Sequence, residues 1–277
     1  MTILTSSNQS GLTPLVIIAR LCGLVAFMAL ASCAHAPSEP AAGAEAEADD
    51  ANDPAESINR TIFDGNQFLD RNLLKPTAQA YLDYVPVPAQ HAVHNFVSNL
   101  GEPEVLVNDV LQGNVTRASV TTGRFLIDST VGVGGLFDVA TDWGLPNHSA
   151  DFGQTFGVWG IGPGPSVQLP LFGPSNVRDT VGKIAGAVAS PLGQVSDNTL
   201  TDIQVAGTVF GVVDGRSELI PTTDALERTS LDYYAALRSL MAQRRAALVE
   251  EGRKGAVDSH AAGKPAMETP VTDPQLP

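Results

Sequence analysis

The sequence predicts a mostly α-helical protein, and three observations support this prediction. Apolar residues recur at helical spacing through most of residues 53–250. Two segments, Asp53–Glu56 and Asp224–Glu227, begin with an aspartate followed three residues later by a glutamate, a pattern typical of helix N-termini. The only cysteines, Cys22 and Cys33, lie near the N-terminus, so the body has no disulfide framework and no thiolate metal site. We therefore expect one helical domain over 53–250.

Residues 1–32 are expected to form a lipoprotein signal peptide. Arg20 precedes an apolar run at 21–30 that is short for a transmembrane helix and typical in length of a signal sequence. The run leads into LASC at 30–33, which matches the bacterial lipobox, where a peptidase cuts before the cysteine and the cysteine is then acylated. An ordinary secretory signal with a chance cysteine is the alternative. We expect Cys33 to carry the lipid.

Residues 33–52 comprise the lipidated cysteine and an acidic tether. The segment is rich in Ala, Pro, Glu and Asp and has no apolar period, so we expect it to be disordered. Ala34 follows the cysteine where inner-membrane lipoproteins commonly have aspartate, which favours the periplasmic side of the outer membrane. Residues 251–277 contain few large apolar residues and are predicted to form a disordered tail.

The formal net charge of −14 restricts the partners. Nucleic acid is not expected, because its phosphates require a basic surface. Attraction to anionic lipid through charge alone is equally unexpected. Any membrane contact must therefore be hydrophobic or made through a covalent lipid.

The body is predicted as helices separated by proline and glycine. The predicted helices are 53–75, 78–84, 89–100, 104–112, 116–130, 181–189, 200–213 and 224–250. Polar residues such as Asn59, Asn99, Asn108 and Gln112 recur near the apolar faces. Capping or surface exposure explains any one of them, whereas the whole set would also suit a water-lined passage.

The stretch Arg124–Ala140, RFLIDSTVGVGGLFDVA, is apolar at both ends and rich in glycine in the middle. Each of Gly132, Gly134 and Gly135 would cost roughly 1 kcal/mol inside a helix. The pattern therefore predicts a helix that ends near Thr130, a glycine-rich bend and an apolar segment that returns. Such a hairpin would suit either a membrane interface or a buried helix-turn.

Residues 151–179 lack periodicity and contain glycine or proline every few positions, which predicts a long irregular segment. A segment of this length without secondary structure is usually functional.

No catalytic or metal site is predicted. His91 and His94 lie one helical turn apart, but the sequence names no further metal ligands for them. The segment Gly164–Gln168 lacks the second glycine of a nucleophile elbow. Asp128 and Asp138 flank the glycine bend and could mimic a pair of catalytic carboxylates, although helix capping is the simpler explanation. We expect no enzyme activity and no cofactor.

In combination, the motifs of residues 53–245 resemble the MlaA/VacJ family of outer-membrane lipoproteins. The matching residues include Asp53-Pro54, Asn59-Arg60, Asp83-Tyr84-Val85-Pro86, Asn95-Phe96, Glu102-Pro103, Leu111-Gln112-Gly113, Gly132, Gly134-Gly135-Leu136-Phe137-Asp138, Phe152-Gly153-Gln154-Thr155, Trp159-Gly160, Leu169-Pro170, Arg178-Asp179, Asp232-Tyr233-Tyr234 and Gln243-Arg244-Arg245.

This resemblance implies a helical ring embedded in the inner leaflet of the outer membrane, with an apolar rim and a polar central passage. Family members remove mislocalised phospholipid from the outer leaflet and pass it to a soluble periplasmic lipid carrier (MlaC-like), and they associate with trimeric porins. The resemblance further implies that the glycine hairpin edges the passage. Its candidate hinge residues are Asp128, Gly132, Gly134, Gly135, Phe137 and Asp138.

Two other functions stay open at this point. The protein could be a structural lipoprotein that only associates with porins, or a phospholipid hydrolase. Porin co-purification without dependence on a lipid carrier would favour the former, and release of products from labelled phospholipid would favour the latter.

Overall fold

The computed structural model describes residues 52–189, 198–255 and 257. The signal peptide, Cys33, nearly all of the tether and most of the tail lie outside the described residues. Within them the prediction of a mostly helical protein is confirmed, because the only strands of the described part are two short ones. No helix in the described ranges is both long enough and apolar enough to cross a membrane.

The first helical stretch continues past the predicted stop at Lys75-Pro76. Helix α1 spans Glu56–Leu69, a π-helical turn spans Asp70–Leu74, and α2 spans Lys75–Tyr84. Pro76 lies in the first turn of α2, where a missing backbone N–H is tolerated. The wider π turn just before it gives the proline ring room, so the chain remains helical through a residue that usually ends a helix.

Helix α3, Val87–Leu111, replaces the two helices predicted over 89–112. Gly101 and Pro103 lie inside it and do not end it. Helix α4, Val115–Thr130, follows after a turn at Gly113 (φ 72°) and packs along α3. Because this packing and the buried ion pairs between the two helices stabilise α3 locally, tertiary contacts override the breaking tendency of the two residues.

The prediction of an irregular 151–179 segment is wrong. After the short helix α5 (Val139–Asp142), this region contains α6 (Phe152–Val158), strands β1 (Ser166–Leu169) and β2 (Gly173–Asn176), and the start of α7 (Val177–Ala189). The strands pair antiparallel, with Ser166 opposite Asn176. Elements this short show too few periods to be recognised among so many glycines and prolines.

Helix α8 spans Asn198–Thr229 and α9 spans Tyr233–Lys254. The predicted helix start at Asp224–Glu227 is wrong, because both residues lie within α8, where they pair with Lys75 and Arg71. The N-cap of α9 is Asp232, whose side chain accepts from Ala235 N. The final helix also extends past its predicted end at about 250, to a left-handed Gly255 (φ 66°).

A small apolar cluster joins the first and last helices. Phe63 of α1 packs edge-on against Tyr234 of α9 at 5.3 Å between ring centroids, and Leu237 completes the buried cluster. Arg60 lies over the other side of this aromatic group, 4.5 Å from the centroid of the Tyr234 ring. These contacts bring the two ends of the helical domain together.

Glycines inside helices provide a test of this packing. An alanine Cβ at Gly65 of α1 would meet nothing within 4 Å, whereas one at Gly182 of α7 would lie under 3.0 Å from the backbone of Gly153. We expect Gly65→Ala to stabilise the protein by about 0.5–1 kcal/mol, since alanine has the higher helix propensity. Gly182→Ala should instead destabilise it, because α6 and α7 would be forced apart. Thermal unfolding in detergent compares the two variants, and equal shifts would contradict the packing of α6 on α7.

Candidate functional site

The described part of the chain buries many polar side chains and exposes many large apolar ones. Buried polar and charged side chains outnumber buried hydrophobic ones, and the largest fully buried side chain is that of Arg117. Large apolar side chains lie instead at the surface, where the exposed set includes Tyr84, Val115, Trp143, Trp159, Leu171, Phe172, Ile184, Val209 and Phe210. Where such side chains form a continuous patch, the patch is typical of contact with a membrane or with another protein.

One buried polar cluster lies between α3 and α4. Asp109 accepts from Arg117 Nε at 3.2 Å and from Thr121 Oγ1 at 2.6 Å, and His148 Nε2 lies 2.9 Å from its Oδ2. Among the described residues, Arg117 Nη1 and His148 Nδ1 have no hydrogen-bond partner. Buried polar atoms normally bond to protein or water, so ordered water is the expected partner of these two nitrogen atoms.

A second polar cluster continues toward α6. Asn108 Oδ1 accepts from Thr155 Oγ1 at 2.7 Å, and that hydroxyl accepts in turn from Gln112 Nε2 at 3.0 Å. Gln112 Oε1 is buried without a hydrogen-bond partner in the described structure. Asn108 and Asp109 are neighbours on α3, so the two clusters lie side by side and make the interior between α3, α4 and α6 polar.

Arg124 of α4 is the centre of a third cluster, at the base of the glycine hairpin. Its Nε donates to Glu102 Oε1 at 2.9 Å, and its Nη2 lies 3.2 Å from Asp138 Oδ1 and 3.7 Å from Asp128 Oδ2. Its Nη1 donates to the carbonyl of Leu145 at 2.7 Å. Burial raises the pKa of Glu102, and the nearby guanidinium only partly offsets this effect. One cation thus holds carboxylates from three segments of the chain.

The two aspartates that flank the hairpin fix its ends. Asp138 caps α5 by accepting from Thr141 N at 3.0 Å, and Asp128 Oδ1 accepts from Ala140 N at 2.9 Å. The expectation that capping explains Asp138 is confirmed. The structure does bring the two aspartates together, through Arg124, but their oxygens are occupied by these structural bonds.

The turn itself is closed by backbone hydrogen bonds. Gly135 N donates to Asp128 O at 2.8 Å, and Phe137 N donates to Gly132 O at 3.0 Å. Val133 adopts φ 55° and Gly134 φ 73°, so consecutive residues occupy the left-handed region. A β-branched residue rarely adopts this conformation, and Val133 therefore marks local strain.

The three hairpin glycines differ in their surroundings. A Cβ at Gly132 would lie under 3.0 Å from backbone atoms of Asp128 and Phe137, and one at Gly135 would lie 2.6–2.8 Å from the Asn99 side chain. A Cβ at Gly134 would meet nothing within 4 Å. Gly132 and Gly135 are therefore required by close packing, and Gly134 only by its backbone angle.

The tip of the hairpin is apolar and exposed. Val133 and Phe137 are about three-fifths exposed, at 61% and 60%, and Val131 and Leu136 are exposed beside them. Helix α3 supports the hairpin, because Asn99 Nδ2 donates to Ser129 Oγ at 3.1 Å and Asn95 Nδ2 donates to the backbone oxygen of Leu136 at 3.3 Å. The hairpin therefore joins a polar, ion-paired base to an apolar tip.

Another cluster of charges lines a shallow cavity of about 200 Å³ between α7, α9 and β2. Arg245 pairs with Asp151 and, through Nε at 2.8 Å, with Asp179. Burial opposes the charge of Asp151, but hydrogen bonds from Arg245 leave its pKa below the usual value. These pairs bind α9 to the start of α6, which is capped by the same Asp151.

Asp53 is part of the domain's ionic framework and does not cap α1 as predicted. It accepts from Asn59 Nδ2 at 2.7 Å and from Arg238 Nη1 at 2.6 Å, while the N-cap position of α1 is Ala55. Burial alone would raise the pKa of Asp53, but hydrogen bonds from Tyr234, Asn59 and Arg238 lower it overall.

All six predicted hinge residues lie in or beside the hairpin, and the structure adds partners that the sequence does not identify. Arg124 and Glu102 lie 22 positions apart, and no local pattern links them. Asn99 packs on Gly135. It belongs to the polar residues that recur near the apolar faces of the predicted helices, and this recurrence was the one sequence signal for its role. Cys33 lies outside the described residues.

The fold and this site define a helical protein that buries many polar side chains and leaves many large apolar ones exposed, unlike an ordinary water-soluble domain. A model of the MlaA lipoprotein family matches residues 51–248. The chain belongs to the MlaA lipoprotein family.

Two relatives and one solved structure agree with this membership. The intermembrane phospholipid transport system lipoprotein MlaA of Escherichia coli (strain K12) is 36% identical over 199 residues, which are 69% of this chain and 76% of that protein. An uncharacterised protein of Rickettsia felis is also 36% identical, over 72% of this chain and 78% of its own length. A solved structure described as the structural basis for maintenance of bacterial outer membrane lipid asymmetry matches with a TM-score of 0.63 and 35% identity, covering 71% of this chain and 98% of that one.

Proposed function

We propose that this protein is an outer-membrane lipoprotein that removes mislocalised phospholipids from the outer leaflet and passes them to a soluble periplasmic carrier. This activity would maintain the lipid asymmetry of the outer membrane. The observation that carries the proposal is the combination of a polar interior with many large apolar side chains at the surface. Family membership and the phospholipid-transport name of the E. coli relative support it.

The physical reason lies in the two halves of a phospholipid. Its charged headgroup loses several kcal/mol if it enters hydrocarbon without hydrogen-bond partners, whereas its tails are stable only outside water. A polar passage through an apolar body satisfies both halves. Asp109 and Asn108 are fully buried, and in an opened passage the clusters around them would offer donors and acceptors, including Arg117 Nη1 and Gln112 Oε1, to a headgroup or its water.

The apolar surface would place the domain in the membrane interface. Acylation at Cys33 would add about 0.8 kcal/mol for each buried CH₂ group, so several chains would anchor the protein firmly. With a net charge of −14, the chain cannot rely on attraction to anionic lipids. Anchoring on the periplasmic side would leave the polar passage open to a carrier.

The glycine hairpin would act as the gate of the passage. Its base is fixed by Asp128, Asp138 and Arg124, whereas its tip carries Phe137 and other exposed apolar residues. Movement would then be confined to Gly132, Gly134 and Gly135. A hinge of few residues between a fixed base and an apolar tip suits a segment that tilts between lipid and passage.

The exposed apolar faces also provide contact surfaces for a trimeric porin. Leu171 and Phe172, at the turn between β1 and β2, are three-quarters exposed and lie away from the glycine hairpin in sequence. A porin partner would cover part of this surface, and the lipid carrier would bind on the periplasmic side.

The test is native mass spectrometry of the detergent-extracted protein, followed by transfer of labelled phospholipid to a purified periplasmic carrier. We expect co-purified phospholipid, and transfer that depends on the carrier. Water-soluble products released from the label would indicate a hydrolase instead. Porin co-purification without bound lipid or transfer would indicate a structural lipoprotein, and either result would overturn the proposal.

A further inference from the structure

Three potential metal ligands from two helices meet at a point away from the hairpin. His94 belongs to α3, whereas Asp214 and Glu218 lie one turn apart on the same face of α8. One ligand atom from each residue lies within 4.8 Å of the other two. His94 and Asp214 are 120 positions apart, so the sequence does not reveal this group. The sequence shows only that His91 and His94 lie close together on α3.

The spacing of these atoms suits a small divalent cation. His94 Nδ1 lies 2.9 Å from Asp214 Oδ2 and 3.2 Å from Glu218 Oε1. In a tetrahedral zinc site with bonds of about 2.0–2.2 Å, neighbouring ligand atoms lie roughly 3.3–3.6 Å apart. The two carboxylate oxygens therefore need to move only a few tenths of an ångström away from His94 Nδ1 to accept an ion between them, and they lie within 4.8 Å of each other.

The charge and the hydrogen bonding around these three residues also suit a divalent cation. A neutral imidazole and two carboxylates carry a charge of about −2, which a divalent cation neutralises. Tyr81 OH donates to the other oxygen of Asp214 at 3.2 Å and so orients that carboxylate, as outer hydrogen bonds do in metal sites. Asp214 is buried, whereas His94 and Glu218 are about half exposed, which leaves an open side for the ion and a water ligand.

We propose that His94, Asp214 and Glu218 form a binding site for a divalent transition-metal ion, best suited to Zn²⁺, that joins α3 to α8. The nitrogen ligand favours zinc over magnesium or calcium, which prefer oxygen ligands alone. Because α3 also supports the hairpin through Asn95 and Asn99, a bound ion would stiffen the helix on which the hairpin rests. The site does not depend on the proposed transport function.

The test is zinc binding by the mature lipidated protein in detergent, from which metal has first been removed with a chelator. Titration against a chromogenic chelator would measure the affinity at about pH 8, because the hydrogen bond with Asp214 raises the pKa of His94 and zinc binds the neutral imidazole. We expect about one Zn²⁺ per chain, bound at least tenfold more weakly in His94→Gln and in Glu218→Gln. Mg²⁺ should not compete.

The matched control is His91→Gln, because His91 lies one turn away on α3 and outside the cluster. Zn²⁺ should raise the melting temperature of the wild-type protein and of this control, but not of His94→Gln. Equal zinc affinity in the His91 and His94 variants would overturn the proposal and place the ion elsewhere. If the wild-type protein bound no zinc, the three residues would form ion pairs only, and the proposal would also be overturned.

Discussion

Replacement of Arg124 by methionine is expected to destabilise the protein by about 3–5 kcal/mol, the usual cost of removing one partner of a buried ion pair. The guanidinium is 3% exposed and neutralises Glu102, which is equally buried. Without the cation, Glu102 would be left charged in a region that already raises its pKa, and Asp128 would lose its nearby positive charge. Chemical or thermal unfolding in detergent measures the loss.

The control for this variant is Arg71→Met, which removes an ion pair with Glu227 at the surface. Exposed pairs contribute about 0–1 kcal/mol, so this variant should unfold almost like the wild type. The double variant Arg124→Met/Glu102→Gln should recover part of the loss, because the orphaned carboxylate is then neutral. If Arg124→Met unfolded like Arg71→Met, the cluster at the base of the hairpin would not be structural.

Alanine at each hairpin glycine is expected to impair lipid asymmetry to a different degree. Gly132→Ala should be the most severe, because its Cβ would collide with backbone that cannot move away. Gly135→Ala should come next, since the Asn99 side chain can shift but φ 89° remains unfavourable for alanine. Gly134→Ala should cost only about 1–2 kcal/mol for its left-handed conformation.

Sensitivity of cells to detergent and surface exposure of phospholipid measure asymmetry, with each variant normalised to its amount in the outer membrane. Gly65→Ala is the matched control, because it adds the same methyl group to an open position in α1. If Gly132→Ala and Gly135→Ala supported full asymmetry at normal abundance, the hairpin would not gate lipid passage.

Sequence patterns were sufficient where structure depends on neighbouring residues. The helix that ends at Thr130 and the bend that follows it were predicted, because glycine cost and apolar spacing are local properties. Capping by Asp138 was predicted for the same reason.

Sequence patterns gave wrong predictions where contacts between distant residues determine the helix ends and the ion pairs. Pro103 does not end α3, because the packing of α4 and the Glu102–Arg124 pair stabilise the helix around it. Asp224 resembles a cap but pairs with Lys75, 149 positions away. The polar interior itself could be suspected from the asparagines, but its ion pairs join residues that no short window contains.

The polar interior has a consequence for the thermodynamics of unfolding. The heat-capacity change of unfolding is positive for newly hydrated apolar surface and negative for polar surface. Here much of the apolar surface is already at the exterior, and unfolding would hydrate buried groups such as Arg117, Asp109 and Gln154. The heat-capacity increment should therefore be small for a chain of this length, and its stability curve should be correspondingly flat across temperature.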